Sequence, residues 1–162
     1  MCVMAVALQA IHDQTQTGAG PSVIDLEEVG YSYGGGELLT GITLRLAPGS
    51  FHFLTGPSGA GKTTFLKLCY GALVPTAGHV RLFNQDVRGL SRDGIAFARR
   101  RIGVVHQDCQ FLDHLSLAEN IALPLTVSGQ DRLEAQANLK ELMGWVGLSD
   151  RMTALPPELS GG

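Results

Sequence analysis

The chain has 162 residues, 44% of them apolar, enough for one domain with its own hydrophobic core. Its net charge of −3 excludes an overall basic field for nucleic acid or an anionic membrane surface. Cys2, Cys69 and Cys109 have no paired spacing and read as reduced thiols, and the scattered histidines lack metal-ligand spacing.

No apolar run approaches the ~18–20 residues needed to span a bilayer. Met1 to Ala10 is mildly apolar but lacks a positively charged start, which argues against a signal peptide. Residues 1–22 are expected to form a loose N-terminal extension ahead of a domain over 23–162. Val23 to Val29 alternates as a strand with one wet face; Tyr31-Ser32-Tyr33 and the glycine turn 34–36 follow. Ile42 to Leu46 alternates again, and Ala47-Pro48-Gly49-Ser50 is a turn. An antiparallel layer therefore precedes Phe51-His52-Phe53-Leu54-Thr55, a β-prone apolar stretch expected to be a strand.

Gly56-Pro57-Ser58-Gly59-Ala60-Gly61-Lys62-Thr63-Thr64 then satisfies G-x-x-x-x-G-K-[ST], a P-loop for nucleoside triphosphate phosphates. The glycines can take φ > 0 and let backbone N–H groups close around phosphate oxygens. Lys62 supplies a charge for the β- and γ-phosphates, and Thr63 a hydroxyl for Mg²⁺. A helix follows, with Phe65, Leu66, Leu68, Cys69 and Leu73 available for burial; its N-terminal partial charge faces the same phosphates. The implied ligand is ATP with Mg²⁺.

Beyond the turn 75–78, His79 to Phe83 reads as a strand and Asn84 to Leu90 as a polar connection. Ser91 can cap a helix ending in Arg99-Arg100-Arg101, read as a solvated helix end rather than an anion site. Ile102 to Val105 is a short buried strand leading to His106-Gln107-Asp108. From Cys109 the composition turns helical. Ser116-Leu117-Ala118-Glu119 is a capping box, opening a helix that Pro124 is expected to stop or bend. A second helix spans Asp131 to Val146, with Leu133, Ala137, Leu142, Met143 and Val146 near one face and Gly147 as its terminator.

Leu159-Ser160-Gly161-Gly162 resembles the signature of ABC-type ATPases, at that family's distance from the P-loop. Gln107 sits where the family places its Q-loop glutamine, and Tyr33 where it places an aromatic that stacks on adenine; Tyr31 is the neighbouring candidate. The resemblance covers about Val23 to Gly162. The stretches 99–108, 111–116 and 119–125 look most like the FtsE cell-division branch; the lipoprotein-release and macrolide-export branch shares the Glu-Asn-x-Ala-x-Pro-Leu portion. His106, where an aromatic such as Phe is usual, is a departure.

The implied fold is α/β, a P-loop NTPase of ABC type: an antiparallel β-subdomain with the P-loop core over about 23–107, then a helical subdomain over about 108–162 up to the signature. The resemblance also implies a cytoplasmic ATPase, peripheral on the inner face of the membrane and docked on a permease-like integral subunit of FtsX type. Two copies would pair so that Leu159, Ser160, Gly161 and Gly162 act in trans on the partner's ATP. Gln107 would contact Mg²⁺ and the attacking water, and residues 108–115 would carry motion to the membrane partner. The chain is expected to be C-terminally truncated. The family's later Asp, Glu and switch His lie outside it, so no residue for water activation is present and these residues alone should not hydrolyse ATP. The alternatives are a lipoprotein-release, export or uptake ATPase, or a non-catalytic nucleotide-binding or docking fragment. A nucleic-acid partner is not expected, since no basic stripe appears.

Overall fold

The computed structural model describes residues 6–8, 22–106, 111–129 and 131–159, with the side chains of 6–8 and 132–135 left aside. The chain divides into two compact units, Met1–Val105 and His106–Gly162.

In the first unit, β1 (Val6–Leu8) precedes β2 (Ile24–Ser32), β3 (Glu37–Leu46), α1 (Lys62–Cys69), β4 (Ala77–Leu82), β5 (Gln85–Asp86), α2 (Arg92–Arg99) and β6 (Ile102–Val104). Four strands form an antiparallel sheet in the order β3-β2-β4-β5. Its register separates the faces. Ile24 lies between Leu46 and Leu82, and Leu26 between Leu44 and Val80, all turned toward the core. Between those rows, Asp25 lies between Arg45 and Arg81, and Arg81 faces Asp86. The Arg45–Asp25 and Arg81–Glu27 pairs close at 3.1 and 2.9 Å. Exposed pairs of this kind add little stability, but like charges opposite one another would oppose the register. On the same face His79 Nδ1 lies 2.6 Å from Asp86 Oδ2. Burial works to raise the Asp86 carboxyl, yet the Arg88 amide and His79 together hold it below the usual carboxylate range.

The alternation of β2 does not run straight through. Glu27 and Glu28 together oppose the single residue Thr43 on β3, and Glu28 and Val29 together oppose Gly78 on β4. Glu28 is the extra residue, at φ 49°. Its N–H donates to Thr43 Oγ1 at 3.1 Å, and the Thr43 hydroxyl donates to Glu28 Oε1 at 3.0 Å. The bulge shifts the inward set by one: Ile24 and Leu26 before it, Val29 after it, all fully buried. Unbulged alternation would have put Glu28 in the core. Gly78 permits this geometry, since a Cβ there would overlap the carbonyl oxygens of Glu27 and Glu28.

Helix α1 packs Phe65, Leu68 and Cys69 into this core. It ends in a Schellman motif: the Ala72 N–H donates to the Lys67 carbonyl at 2.8 Å and the Gly71 N–H to that of Leu68 at 3.1 Å. Ser91 caps α2 by accepting from the Gly94 N–H at 3.1 Å. The arginine run is not simply solvated. Arg99 donates to the carbonyls of Tyr70 and Gly71, and the Arg101 guanidinium lies 3.6 Å above the Phe83 ring.

Several expectations change. Phe51 to Thr55 is not a strand; Phe51 and Phe53 are 79% and 83% exposed. Among the described residues none pairs with it, and an extended segment without a ladder neighbour is not a strand. Val6–Leu8, within the expected loose extension, pairs antiparallel with β6. The connection after β4 contains β5.

In the second unit, α3 (Leu117–Ser128) and α4 (Arg132–Trp145) pack through Leu117, Leu139 and Met143, joined by Leu148, Met152 and Leu159. The N-terminal donors of α3 are all satisfied. Leu117 and Ala118 donate to the carbonyls of Ala154 and Met152, Glu119 to Ser116 Oγ, and Asn120 to the Ser116 carbonyl. The Ser116 hydroxyl, and then its N–H, hold the Glu119 carboxylate below its usual range. Pro124 lies inside α3 and does not end it; it forfeits one donor, and the helix runs on to Gly129 at φ 80°. The buried face of α4 carries Leu139 and Met143, whereas Leu142 and Val146, expected near that face, are exposed. No helix among the described residues is long and apolar enough to cross a membrane.

Two measurements check this architecture. Gly78→Ala should lower unfolding stability by more than about 2 kcal/mol in denaturant titrations, because the bulge must open to admit the methyl. Burial pushes the Cys69 thiol up to about 12 from an ordinary value of 9.0. The folded value lies above the unfolded one, so this contribution is complete below pH 9 and is lost as the pH climbs toward 12. Cys69→Ala should flatten the alkaline fall in stability relative to the parent chain.

Candidate functional site: the P-loop

The loop between residue 56 and α1 is exposed, and its geometry follows from the glycines. Gly59 and Gly61 take φ of 80° and 82°. Gly61 is the N-cap of α1, and a Cβ there would fall 2.7 Å from Leu39 Cδ2, so the loop sits directly on β3. The Phe65 N–H donates to the Gly61 carbonyl at 2.8 Å and starts the helical ladder. α1 brings no acidic residue to its first turn, which leaves the positive end of its dipole uncompensated.

Lys62 folds back over the loop. Its Nζ donates to the Gly56 carbonyl at 2.9 Å and to the Pro57 carbonyl at 2.6 Å. The ammonium is thus held where the loop turns. Thr63, the expected Mg²⁺ ligand, is exposed, whereas Thr64 is buried. Thr64 Oγ1 and the Tyr33 hydroxyl share a hydrogen bond of 3.2 Å. Tyr33 is 62% exposed and meets Tyr31 edge-on, ring centroids 4.8 Å apart. The glycine turn behind it is closed by Ser32, whose Oγ donates to the Gly36 carbonyl and accepts from the Gly34 N–H.

The structure therefore joins Tyr33 to the P-loop helix through Thr64, a contact between residues 31 positions apart that no local pattern signals. An exposed glycine-rich loop leading into a helix N-terminus, an anchored ammonium, the exposed Thr63 and an adjacent aromatic form a set suited to a nucleotide polyphosphate and its Mg²⁺. Leu159 packs within the helical unit. Gln107, Ser160, Gly161 and Gly162 lie outside the described residues.

The family model described as ABC transporter matches residues 39–162. The chain belongs to the ABC transporter family. Its fold is that family's ATPase cassette. Over 85% of this chain and 63% of the other, it superposes with a TM-score of 0.71 and 26% identity on the dimeric structure of a post-hydrolysis state of an ATP-binding cassette bound to ADP and Pi. Among curated relatives, the cassette is 37% identical over 141 residues to the cell division ATP-binding protein FtsE of Bacillus subtilis, covering 86% of this chain. It is 35% identical over 157 residues to the methionine import ATP-binding protein MetN of Rhizobium johnstonii, covering 97% of this chain. It spans 62% of the length of the first relative and 43% of the second.

The Tyr33–Thr64 bond can be weighed directly. Tyr33→Phe and Thr64→Val should show a coupling of roughly 0.5–1.5 kcal/mol in a double-mutant cycle of unfolding free energy.

Proposed function

We propose that this chain carries the nucleotide-binding machinery of an ATP-hydrolysing ABC subunit that works with a permease-like membrane protein, of the FtsE type acting with an FtsX-type partner. The observation that carries the reading is Lys62, anchored on the carbonyls of Gly56 and Pro57 at the start of α1. On this reading the loop N–H groups and Lys62 hold the phosphates, Thr63 and Gln107 serve Mg²⁺, and Tyr33 flanks the base. Bound Mg²⁺ would offset phosphate charge.

Leu159, Ser160, Gly161 and Gly162 would complete a second copy's site in trans; the dimeric state of the ADP-bound relative supports that arrangement. The protein would then be peripheral on the inner face of the membrane. The FtsE assignment rests on the resemblance of residues 99–125 and on the Bacillus relative. A second reading, the ATPase of an import system, is favoured by the match to MetN. Residues 1–162 taken alone are proposed to bind nucleotide without turning it over, since the resemblance supplies no residue here that activates water.

Equilibrium titration with a fluorescent ATP analogue and Mg²⁺ should give saturable binding. Lys62→Ala should weaken it at least about tenfold, ~1.4 kcal/mol, while leaving the circular dichroism spectrum unchanged. Equal affinity in the variant would remove the reading. Magnesium-dependent phosphate release by these residues, lost in Lys62→Ala, would overturn the inactive-alone part only.

A further inference from the structure

We propose that Thr64 is a positioning residue for the nucleotide base: its side-chain hydroxyl fixes the Tyr33 ring in the orientation in which the base stacks. This role rests on the reading above, in which Tyr33 flanks the base and the start of α1 holds the phosphates.

Among the described residues Thr64 is the one buried polar or charged side chain, 6% exposed. A buried hydroxyl needs a partner, and a threonine in a helix ordinarily turns to the carbonyl three or four residues back. Here the partner is the Tyr33 hydroxyl, 3.2 Å away and 31 positions earlier in the chain. Leu68, one turn further along the same side of α1, is fully buried in the core. Thr64 therefore belongs to the packed side of the helix, and of the two partners the tyrosine ring is the one being placed.

Tyr33 is held at three points. Ser32 closes the turn beside it, its Oγ donating to the Gly36 carbonyl at 2.8 Å and accepting from the Gly34 N–H at 3.1 Å. Tyr31 meets the ring at 4.8 Å and 77°. Thr64 holds the tip. A bond at the hydroxyl lies near the ring plane, and an edge-on neighbour occupies at most one face. The remaining face is left for a stacked base. A ring fixed before the ligand arrives loses less freedom on binding.

Thr64 also spans both halves of the site. The helical ladder begins with the Phe65 N–H on the Gly61 carbonyl, so the Thr64 N–H precedes it and belongs to the set assigned to the phosphates. Its backbone then serves the phosphates while its hydroxyl sets the base platform.

Mg-ATP and Mg-tripolyphosphate, which has no base, are each titrated against the chain by displacement of a fluorescent ATP analogue. Tyr33→Phe keeps the ring and removes the hydroxyl, and Thr64→Val removes the other partner. Each should weaken ATP about three- to tenfold, the worth of one neutral hydrogen bond, and leave tripolyphosphate unchanged. The double variant should lose no more than either single one, and Thr64→Ser should bind as the parent does. A general disturbance of the loop would instead weaken both ligands. Unchanged or tighter ATP binding in Tyr33→Phe, an equal loss for tripolyphosphate, or additive losses would overturn the positioning role and leave the P-loop reading standing. A parent chain that binds neither ligand would remove that reading, and this role with it.

Discussion

Burial of one face of α1 against the antiparallel sheet is the constraint on which the first unit depends. Phe65, Leu68 and Cys69 meet Ile24, Leu26, Val80 and Leu82 in one cluster. Each large apolar side chain removed from water contributes about 1.5–3 kcal/mol, so this contact outweighs any polar interaction near it. The P-loop is the lead-in to that helix. Fixing α1 on the sheet therefore fixes Gly61 over Leu39, and with it the position of the Lys62 ammonium.

The bulge at Glu28 belongs to the same constraint. It converts a strand whose alternation fails at Glu27-Glu28 into one that still buries Val29, and it does so with its own polar groups satisfied by Thr43. Past the bulge, β2 delivers Tyr33 to Thr64 at the first turn of α1. Site geometry thus begins some distance from the loop, in an irregular strand and in a glycine on its neighbour.

The helical unit follows a different logic. Its core is small, and its order comes from satisfied helix ends: the Ser116–Glu119 box, the carbonyls of Met152 and Ala154 on the start of α3, and the Schellman closure of α4. Capping interactions are local and are worth about 1 kcal/mol each. Pro124 is carried within α3, and α4 leaves Leu142, Trp145 and Val146 exposed.

Local signals were legible from the residues: the glycines and Lys62 of the P-loop, Ser91 and Ser116 as caps, the glycine turn after Tyr33 and the alternation of Ile42, Leu44 and Leu46 in β3. These depend on short-range sterics and hydrogen bonding, which the sequence by itself determines. Tertiary structure decided the rest, because it turns on which surfaces meet. Phe51 to Thr55 has every strand propensity, yet a strand exists only where a neighbour offers hydrogen bonds. The buried side of α4 passed to Leu139 because α3 packs there, although periodicity allowed Leu142 equally. The Glu28 bulge and the Tyr33–Thr64 bond each join residues distant in sequence through the fold, where no spacing rule reaches.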